Sequence, residues 1–295
     1  VSEPEALTPE LLLGYPLPRL AVDSDKDHRG RIMVVGGGAE VPGAVLLAGV
    51  AALRTGAGKL QLAAGAAWAR ALALAAPEAR VVTVPSTQAG DLKPEAATVL
   101  VELIGRCDAV VVGPGMLDEN TATELTARLL REAGEAGFVL DAAAMTALRP
   151  AIARRAGGRL VLTPHAGEMA ALSGRSREEV LADPLEVARE MAASLQAVIV
   201  MKGSDTRIVT PSGRAWIHRH GVVGLATGGS GDVLAGVIGG LMARGLAPAA
   251  AALWGVFLHG QAGARLSREV GPLGFLAREL PAQVPRVLAE FGGDA

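Results

Sequence analysis

Seven short apolar runs, each set off by segments that read as helix, constrain this chain more than any other feature. The runs are Ile32–Val35, Leu60–Ala63, Val81–Val84, Ala109–Val112, Phe138–Leu140, Leu160–Leu162 and Val198–Met201. Apart from Gln61 and Thr83 they are continuously apolar rather than alternating, which is the pattern of strands covered on both faces. The segments near 43–57, 66–76, 94–106, 119–134, 166–173 and 184–196 supply helices to cover them. Strand and helix in alternation predict an α/β fold around a mainly parallel sheet. The pattern then changes. Thr206–Thr210 and Arg214–His218 flank Pro211-Ser212-Gly213, so an antiparallel hairpin is predicted near 206–219. Further helices are predicted near 230–244, 247–266 and 281–291. The first 20 residues carry Pro4, Pro9, Pro16 and Pro18 and read as an extended arm. No linker divides residues 21–295, which read as one domain.

Composition narrows the function. Half of the 295 residues are hydrophobic and 20% are charged, below the ~25% of an average soluble domain. That balance predicts a large core and a homo-oligomer. A net charge of −2 without a basic run argues against nucleic acid and anionic membrane as partners. The single cysteine, Cys107, rules out an intramolecular disulfide and suits a cytoplasmic setting. Its place before an apolar run predicts a buried, inert thiol. Residues 245–264 carry no charge, so a membrane span has to be weighed. Gly245, Pro248, Gly255, His259, Gly260, Gln261 and Gly263 interrupt the stretch, and it reads as a buried helix. The start at Val1 shows no signal-peptide pattern and fits a processed chain or a piece of a longer one.

Ligands of open parallel sheets bind beyond the carboxyl ends of the strands. The unusual residues of this chain gather there. Gly36-Gly37-Gly38 follows the first run and Gly113-Pro114-Gly115 the fourth. Asp141 follows the fifth, Thr163-Pro164-His165-Ala166-Gly167-Glu168 the sixth, and Lys202-Gly203-Ser204-Asp205-Thr206 the seventh. The triple glycine is not a dinucleotide fingerprint, because Val41 stands where the third glycine belongs and no acid ends the next strand. A Walker loop is excluded by the lack of Gly-Lys-Ser/Thr. The histidines at 28, 165, 218, 220 and 259 have no zinc spacing, and no Gly-x-Ser-x-Gly elbow is present; the metal ligands stay unassigned.

The segment Ala226-Thr227-Gly228-Gly229-Ser230-Gly231-Asp232 runs into an apolar helix. A glycine turn at a helix start aims unpaired N–H groups and the positive end of the dipole at one point. Gly229, Ser230 and Gly231 therefore form a candidate cradle for a phosphate. Asp232 stands beside it, placed to deprotonate a hydroxyl. An aspartate there can equally serve only to offset the dipole. Likewise Lys202 can be a solvated lysine of a polar turn, His165 a turn-fixing residue, and Glu168 a helix starter. Their convergence on one sheet edge favours a nucleotide site.

Taken in order, the motifs resemble the ADP- or ATP-dependent NAD(P)H-hydrate dehydratases of the ribokinase-like superfamily. The similarity runs from about residue 20 to 270. It is carried by Asp23-Ser24, Lys26, Gly30 to Gly37, Pro42-Gly43-Ala44, Ala52 to Gly58, Val112 to Gly115, Leu162 to Met169, the Lys202 loop and Gly229 to Gly236. The resemblance implies a three-layer α/β/α fold. It implies dehydration of the S form of hydrated NADH or NADPH, with ADP or ATP as co-substrate and Mg2+ as cofactor. The chemistry implied is phosphorylation of the ring hydroxyl followed by loss of phosphate. By motif position Ala44, Gly115, His165 and Asp232 would contact the hydrate, with Asp232 as base. Lys202, Gly203, Ser204, Asp205, Thr206 and Gly231 would contact the nucleotide. A tetramer, and coupling or fusion to an epimerase of the same hydrate, are also implied.

Three positions depart from the family pattern. Asp25-Lys26-Asp27 stands where His-Lys-Gly is usual, Asp205 replaces a glycine, and Ala143 replaces the second acid after the fifth strand. Two other readings use the same residues. One is a small-molecule alcohol kinase of the same fold, which would release its phosphate ester. The other is a non-catalytic nucleotide-binding module.

Overall fold

The computed structural model describes residues 3–19, 25–132, 134–219 and 221–291. Val1, Asp23, Ser24 and His220 lie outside the described residues. Among the described residues there are ten strands, β1 (Glu5–Ala6), β2 (Arg31–Val35), β3 (Lys59–Gly65), β4 (Ala79–Val84), β5 (Ala109–Val112), β6 (Gly137–Leu140), β7 (Leu160–Leu162), β8 (Val198–Met201), β9 (Thr206–Val209) and β10 (Ala215–His218). They form one sheet in the order β1-β10-β9-β8-β7-β6-β5-β2-β3-β4. Only β9 pairs antiparallel with its neighbours. All seven apolar runs are strands, and the hairpin lies at β9–β10.

The helices are α1 (Pro9–Leu12), α2 (Ala44–Arg54), α3 (Ala66–Ala75), α4 (Ala96–Ile104), α5 (Glu119–Arg131), α6 (Pro150–Ala153), α7 (Ala166–Ser173), α8 (Arg177–Ala182), α9 (Pro184–Leu195), α10 (Ser230–Ala243), α11 (Pro248–Glu269) and α12 (Leu280–Phe291). Successive side chains of a strand point to opposite faces, and β2 divides accordingly. Ile32 and Val34 join the layer built from α2, α10, α11 and α12. Met33 and Val35 join the layer of α4, α5 and α9. The result is a three-layer α/β/α sandwich. The uncharged stretch 245–264 falls largely in α11, whose middle is buried against the sheet. Among the described residues no helix is long and apolar enough to cross a membrane.

The order of strands fixes where ligands can enter. The chain leaves β2 toward β3 and β4, then returns to the other side of β2 as β5. This reversal opens a crevice at the carboxyl ends of β2 and β5. Gly36–Gly38 and Gly113–Gly115 meet there, and Gly37 N–H donates to the Pro114 carbonyl at 2.7 Å.

Helix α10 lies nearly backbone to backbone on α2. A Cβ on Gly236 would stand 2.1 Å from the Ala48 carbonyl oxygen, so only glycine allows this approach. The N-terminal segment is tied down rather than free as an extended arm. β1 pairs parallel with β10, α1 makes one helical turn, and Leu7, Leu12 and Leu17 are buried in the core. Pro9 is the reason for the turn: proline suits the first helical position, and Thr8 caps it by accepting from Leu11 N–H.

Candidate active site

Four chain segments meet at the carboxyl edge of the sheet. The first is Asp141, directly after β6. The residue is 3% exposed, and its carboxylate accepts from the Thr163 hydroxyl at 2.6 Å. Ala142 then turns the chain with φ 48, a left-handed conformation that is costly for a non-glycine and often found at functional sites.

The second is the start of α7. His165 is its N-cap, and His165 Nδ1 accepts from the N–H groups of Gly167 and Glu168 at 3.0 and 3.1 Å. Glu168 Oε2 accepts in return from His165 N–H at 2.7 Å. The bonds exchanged by His165 and Glu168 form a capping box, and Nδ1, as an acceptor, leaves the imidazole proton on Nε2. The ring stands at the cavity rim with its side chain 58% exposed.

The third is Lys202, after β8. Its Nζ lies 3.0 Å from Asp141 Oδ1 and 3.5 Å from Glu168 Oε2. Burial alone would depress the ammonium, but the two carboxylates outweigh it and hold its pKa above the ordinary value. The fourth is the start of α10. Gly229 holds the N-cap with φ 89, and no side chain caps the helix. Ser230 N–H donates to the Thr227 carbonyl at 3.2 Å, and the N–H groups of Gly231 and Asp232 are left unclaimed by a cap. A Cβ on Gly231 would sit 3.2 Å from Lys202 Nζ, so the ammonium rests against this helix end.

Asp232 lies in the first turn of α10, and among the described residues no hydrogen bond holds its carboxylate. Burial first, and then the charge of Asp141, push its carboxyl up to about 7, with Lys202 pulling the other way. A carboxylate with that pKa is poised to exchange a proton near neutrality.

A cavity of about 790 Å³ connects these groups. Its polar part is lined by Asp141, His165, Glu168, Lys202 and Asp232, and its apolar part by Val222, Leu225 and Val256 among others. Of the sequence candidates, His165, Lys202, Gly203, Ser204, Thr206, Gly229, Ser230, Gly231 and Asp232 line it. Asp205 is not in the lining; its carbonyl accepts from Arg207 at 3.2 Å. Ala44 and Gly115 adjoin each other at the β2–β5 crevice, outside the cavity lining; a Cβ on Gly115 would lie 2.9 Å from that of Ala44. Leu47, one turn further along α2, reaches Gly229.

Three groups escaped the sequence reading. Asp141 was placed at the edge but not in the site, because its link to Lys202 spans 61 residues. Glu168 read as a helix starter, which it is, and it also faces Lys202. His259 shows no local spacing pattern because its partner, Ser230, belongs to another helix.

Among the described residues no three His, Cys, Asp or Glu side chains form a metal-holding group. Mg2+ in phosphoryl-transfer sites is typically bound by one or two carboxylates plus phosphates and water. Asp141 and Glu168 are hard oxygen donors at the cavity wall and fit a magnesium that arrives with a nucleotide.

A mainly parallel three-layer sandwich, with its site where an uncapped glycine turn meets the sheet edge, is the ribokinase-like architecture, and solved structures of that class match over nearly the whole chain. The family model for NAD(P)H-hydrate dehydratase matches residues 32–286, and this chain belongs to that family. An ADP-dependent (S)-NAD(P)H-hydrate dehydratase of Xanthomonas campestris is 47% identical, covering 96% of this chain and 95% of the relative. A bifunctional NAD(P)H-hydrate repair enzyme of Moorella thermoacetica is 38% identical; it is matched over 92% of this chain, which spans 52% of that longer protein. The Bacillus subtilis ADP/ATP-dependent NAD(P)H-hydrate dehydratase, co-crystallised with ATP and Mg2+, superposes with a TM-score of 0.82 at 29% identity, covering 99% of this chain and all of that one.

Proposed function

We propose that this chain dehydrates the S form of hydrated NADH and NADPH, using ADP or ATP as phosphoryl donor. One observation carries the reading: Asp232, whose carboxyl titrates near 7, stands in the first turn of an uncapped helix beside the half-buried Lys202. Asp232 takes the proton of the ring hydroxyl. The freed oxygen attacks the terminal phosphorus, and AMP (from ADP) or ADP (from ATP) leaves. The α10 N–H groups and Lys202 stabilise the charge that collects on the transferring group. The C–O bond of this ester then breaks, phosphate leaves with the electron pair, and the neighbouring ring carbon loses a proton to restore the double bond. Magnesium, when bound, neutralises phosphate charge; Asp141 and Glu168 are the residues that would hold it.

The reading also assigns Lys202, Gly203, Ser204, Thr206 and Gly231 to the nucleotide. Ala44, Gly115, His165 and Asp232 are assigned to the hydrate. Asp205 stays a candidate nucleotide contact through its backbone. It takes residues 21–295 as one catalytic domain, in a homo-oligomeric, cytoplasmic enzyme that works with an epimerase. Solvent-exposed Leu74 and Leu117 support the oligomer, and sedimentation equilibrium tests it.

The experiment is recovery of near-ultraviolet absorbance from purified NADH hydrate, with magnesium and either ADP or ATP, for wild type against Asp232→Asn. Nucleotide-dependent recovery that the substitution abolishes is the expected result. A stable phosphate ester in the product mixture would instead identify an alcohol kinase.

A further inference from the structure

His259 is a half-buried titratable group that the proposed reaction does not use. It sits in the middle of α11 among Val256, Phe257 and Leu258. Burying an imidazole is unfavourable unless its nitrogens are bonded. Here Nε2 finds both partners on one residue, the Ser230 hydroxyl at 3.0 Å and the Ser230 carbonyl at 3.1 Å. A carbonyl can only accept, so the bond to it requires the proton on Nε2. The same N–H then also faces the hydroxyl oxygen, which accepts. The hydroxyl's own proton is left free to point elsewhere. Ser230 is the first residue of α10, two positions before Asp232, and both it and His259 line the cavity. Burial pushes His259 down to about 4, so it stays neutral and does not compete as a cation for the phosphate.

We propose that His259 is a positioning residue: its Nε2–H holds Ser230 so that the serine hydroxyl donates into the α10 anion cradle. The gain is a third kind of donor, beside the backbone N–H groups and Lys202, aimed where charge develops. The inference rests on the phosphoryl-transfer reading above, and one of its two tests does not depend on that reading.

The first test is the protonated nitrogen of His259 in the wild-type protein, read by nitrogen NMR of histidine-labelled enzyme. Among five histidines, His259 is assigned by loss of its signals in His259→Gln. The Nε2–H tautomer is expected; the Nδ1–H tautomer overturns the proposal even if the enzyme converts no hydrate. The second test is turnover of NADH hydrate with ADP by His259→Leu, His259→Gln, Ser230→Ala and the Ser230→Ala/His259→Leu double variant. His259→Leu is expected to lower kcat about ten- to a hundredfold, less than or equal to the loss of a full oxyanion donor, with KM within about twofold. His259→Gln, which keeps an N–H donor, should retain most of the rate. The double variant should be no slower than Ser230→Ala, because the two residues act as one unit. Multiplying losses, or a glutamine variant as slow as the leucine variant, would show that His259 does not act through Ser230.

Discussion

Three carboxylates share one ammonium at this site, and they are not equivalent. Asp141 has Thr163 and Lys202 as partners, and Glu168 has the His165 N–H and Lys202. Asp232 has no hydrogen bond among the described residues, so it is the one whose ionised form is penalised. Two predictions follow from its pKa of about 7. The first concerns rate: kcat/KM should rise about tenfold per pH unit below 7, level off above it, and fall by at least about a hundredfold in Asp232→Asn. The second concerns stability. The carboxyl of the unfolded chain titrates near 3.8 and that of the folded chain near 7. The penalty is therefore absent below about 4, grows as pH rises, and is complete above 7. Asp232→Asn should melt at nearly the wild-type temperature at acid pH and roughly 5 °C higher at pH 8, the sign expected when an active site trades stability for reactivity. A melting difference that shrinks with rising pH would contradict this. Lys202→Met, in contrast, strands Asp141 and Glu168 without their cation. It should destabilise by about 3 kcal/mol in denaturant titrations and raise the KM for ADP. Cys107, buried and pushed up to about 11, should resist alkylation at neutral pH until the protein unfolds.

Helix α10 shows how an element can be legible in outline and hidden in detail. Its start and its apolar body were readable, since a glycine turn followed by Val233, Leu234, Val237 and Ile238 can hardly be anything but a buried helix. So were β2 to β8: all but β4 are covered on both faces and must be apolar whatever their neighbours, and the edge strand β4 still shows Val81, Val82 and Val84. The nine predicted helices agree with the structure to within three residues, whereas the short α1, α6 and α8, of four to six residues, carry too little pattern to be read. What periodicity could not show was which helix α10 would touch. That is recorded in Gly236 and Gly240, whose missing Cβ atoms let α2 approach: at Gly240 a Cβ would lie 2.6 Å from the Ala52 carbonyl. Gly236→Ala should therefore be destabilising, by about 2 kcal/mol, because the clash is with backbone that cannot rotate away. Helix propensity alone predicts the opposite, a gain of about 1 kcal/mol. A thermal melt decides between the two. Activity should fall with stability, since the shift needed to relieve the clash moves the helix that carries Asp232.

At the scale of the whole molecule, the N-terminal segment joins parts of the sandwich that the site depends on. Its four prolines marked it as extended, and proline counts say nothing about what a segment packs against; Leu7, Leu12 and Leu17 were too widely spaced to read as a core face. In the fold, β1 covers the outer edge of β10, with Leu7 N–H donating to the Ile217 carbonyl at 2.9 Å. Tyr15 packs edge-on against Trp216 at 6.1 Å, and its carbonyl accepts from Trp254 Nε1 at 2.7 Å. Trp254 belongs to α11, which also carries His259, so the segment braces the helix behind the cradle. Removing residues 1–19 would delete the three buried leucines, each about 2 kcal/mol of apolar burial, bare the core surface they cover, and uncover the edge of β10, an invitation to strand-to-strand association. The truncated chain should melt at least 10 °C lower and elute as larger species on size-exclusion chromatography. Two of the three tryptophans, Trp216 and Trp254, touch the segment, so their emission should shift to the red before any global unfolding. If the truncated chain instead kept its melting temperature and its blue emission, β1 and α1 would be ornament on a core that is complete without them, and the bracing of α11 would have to come from the sheet alone.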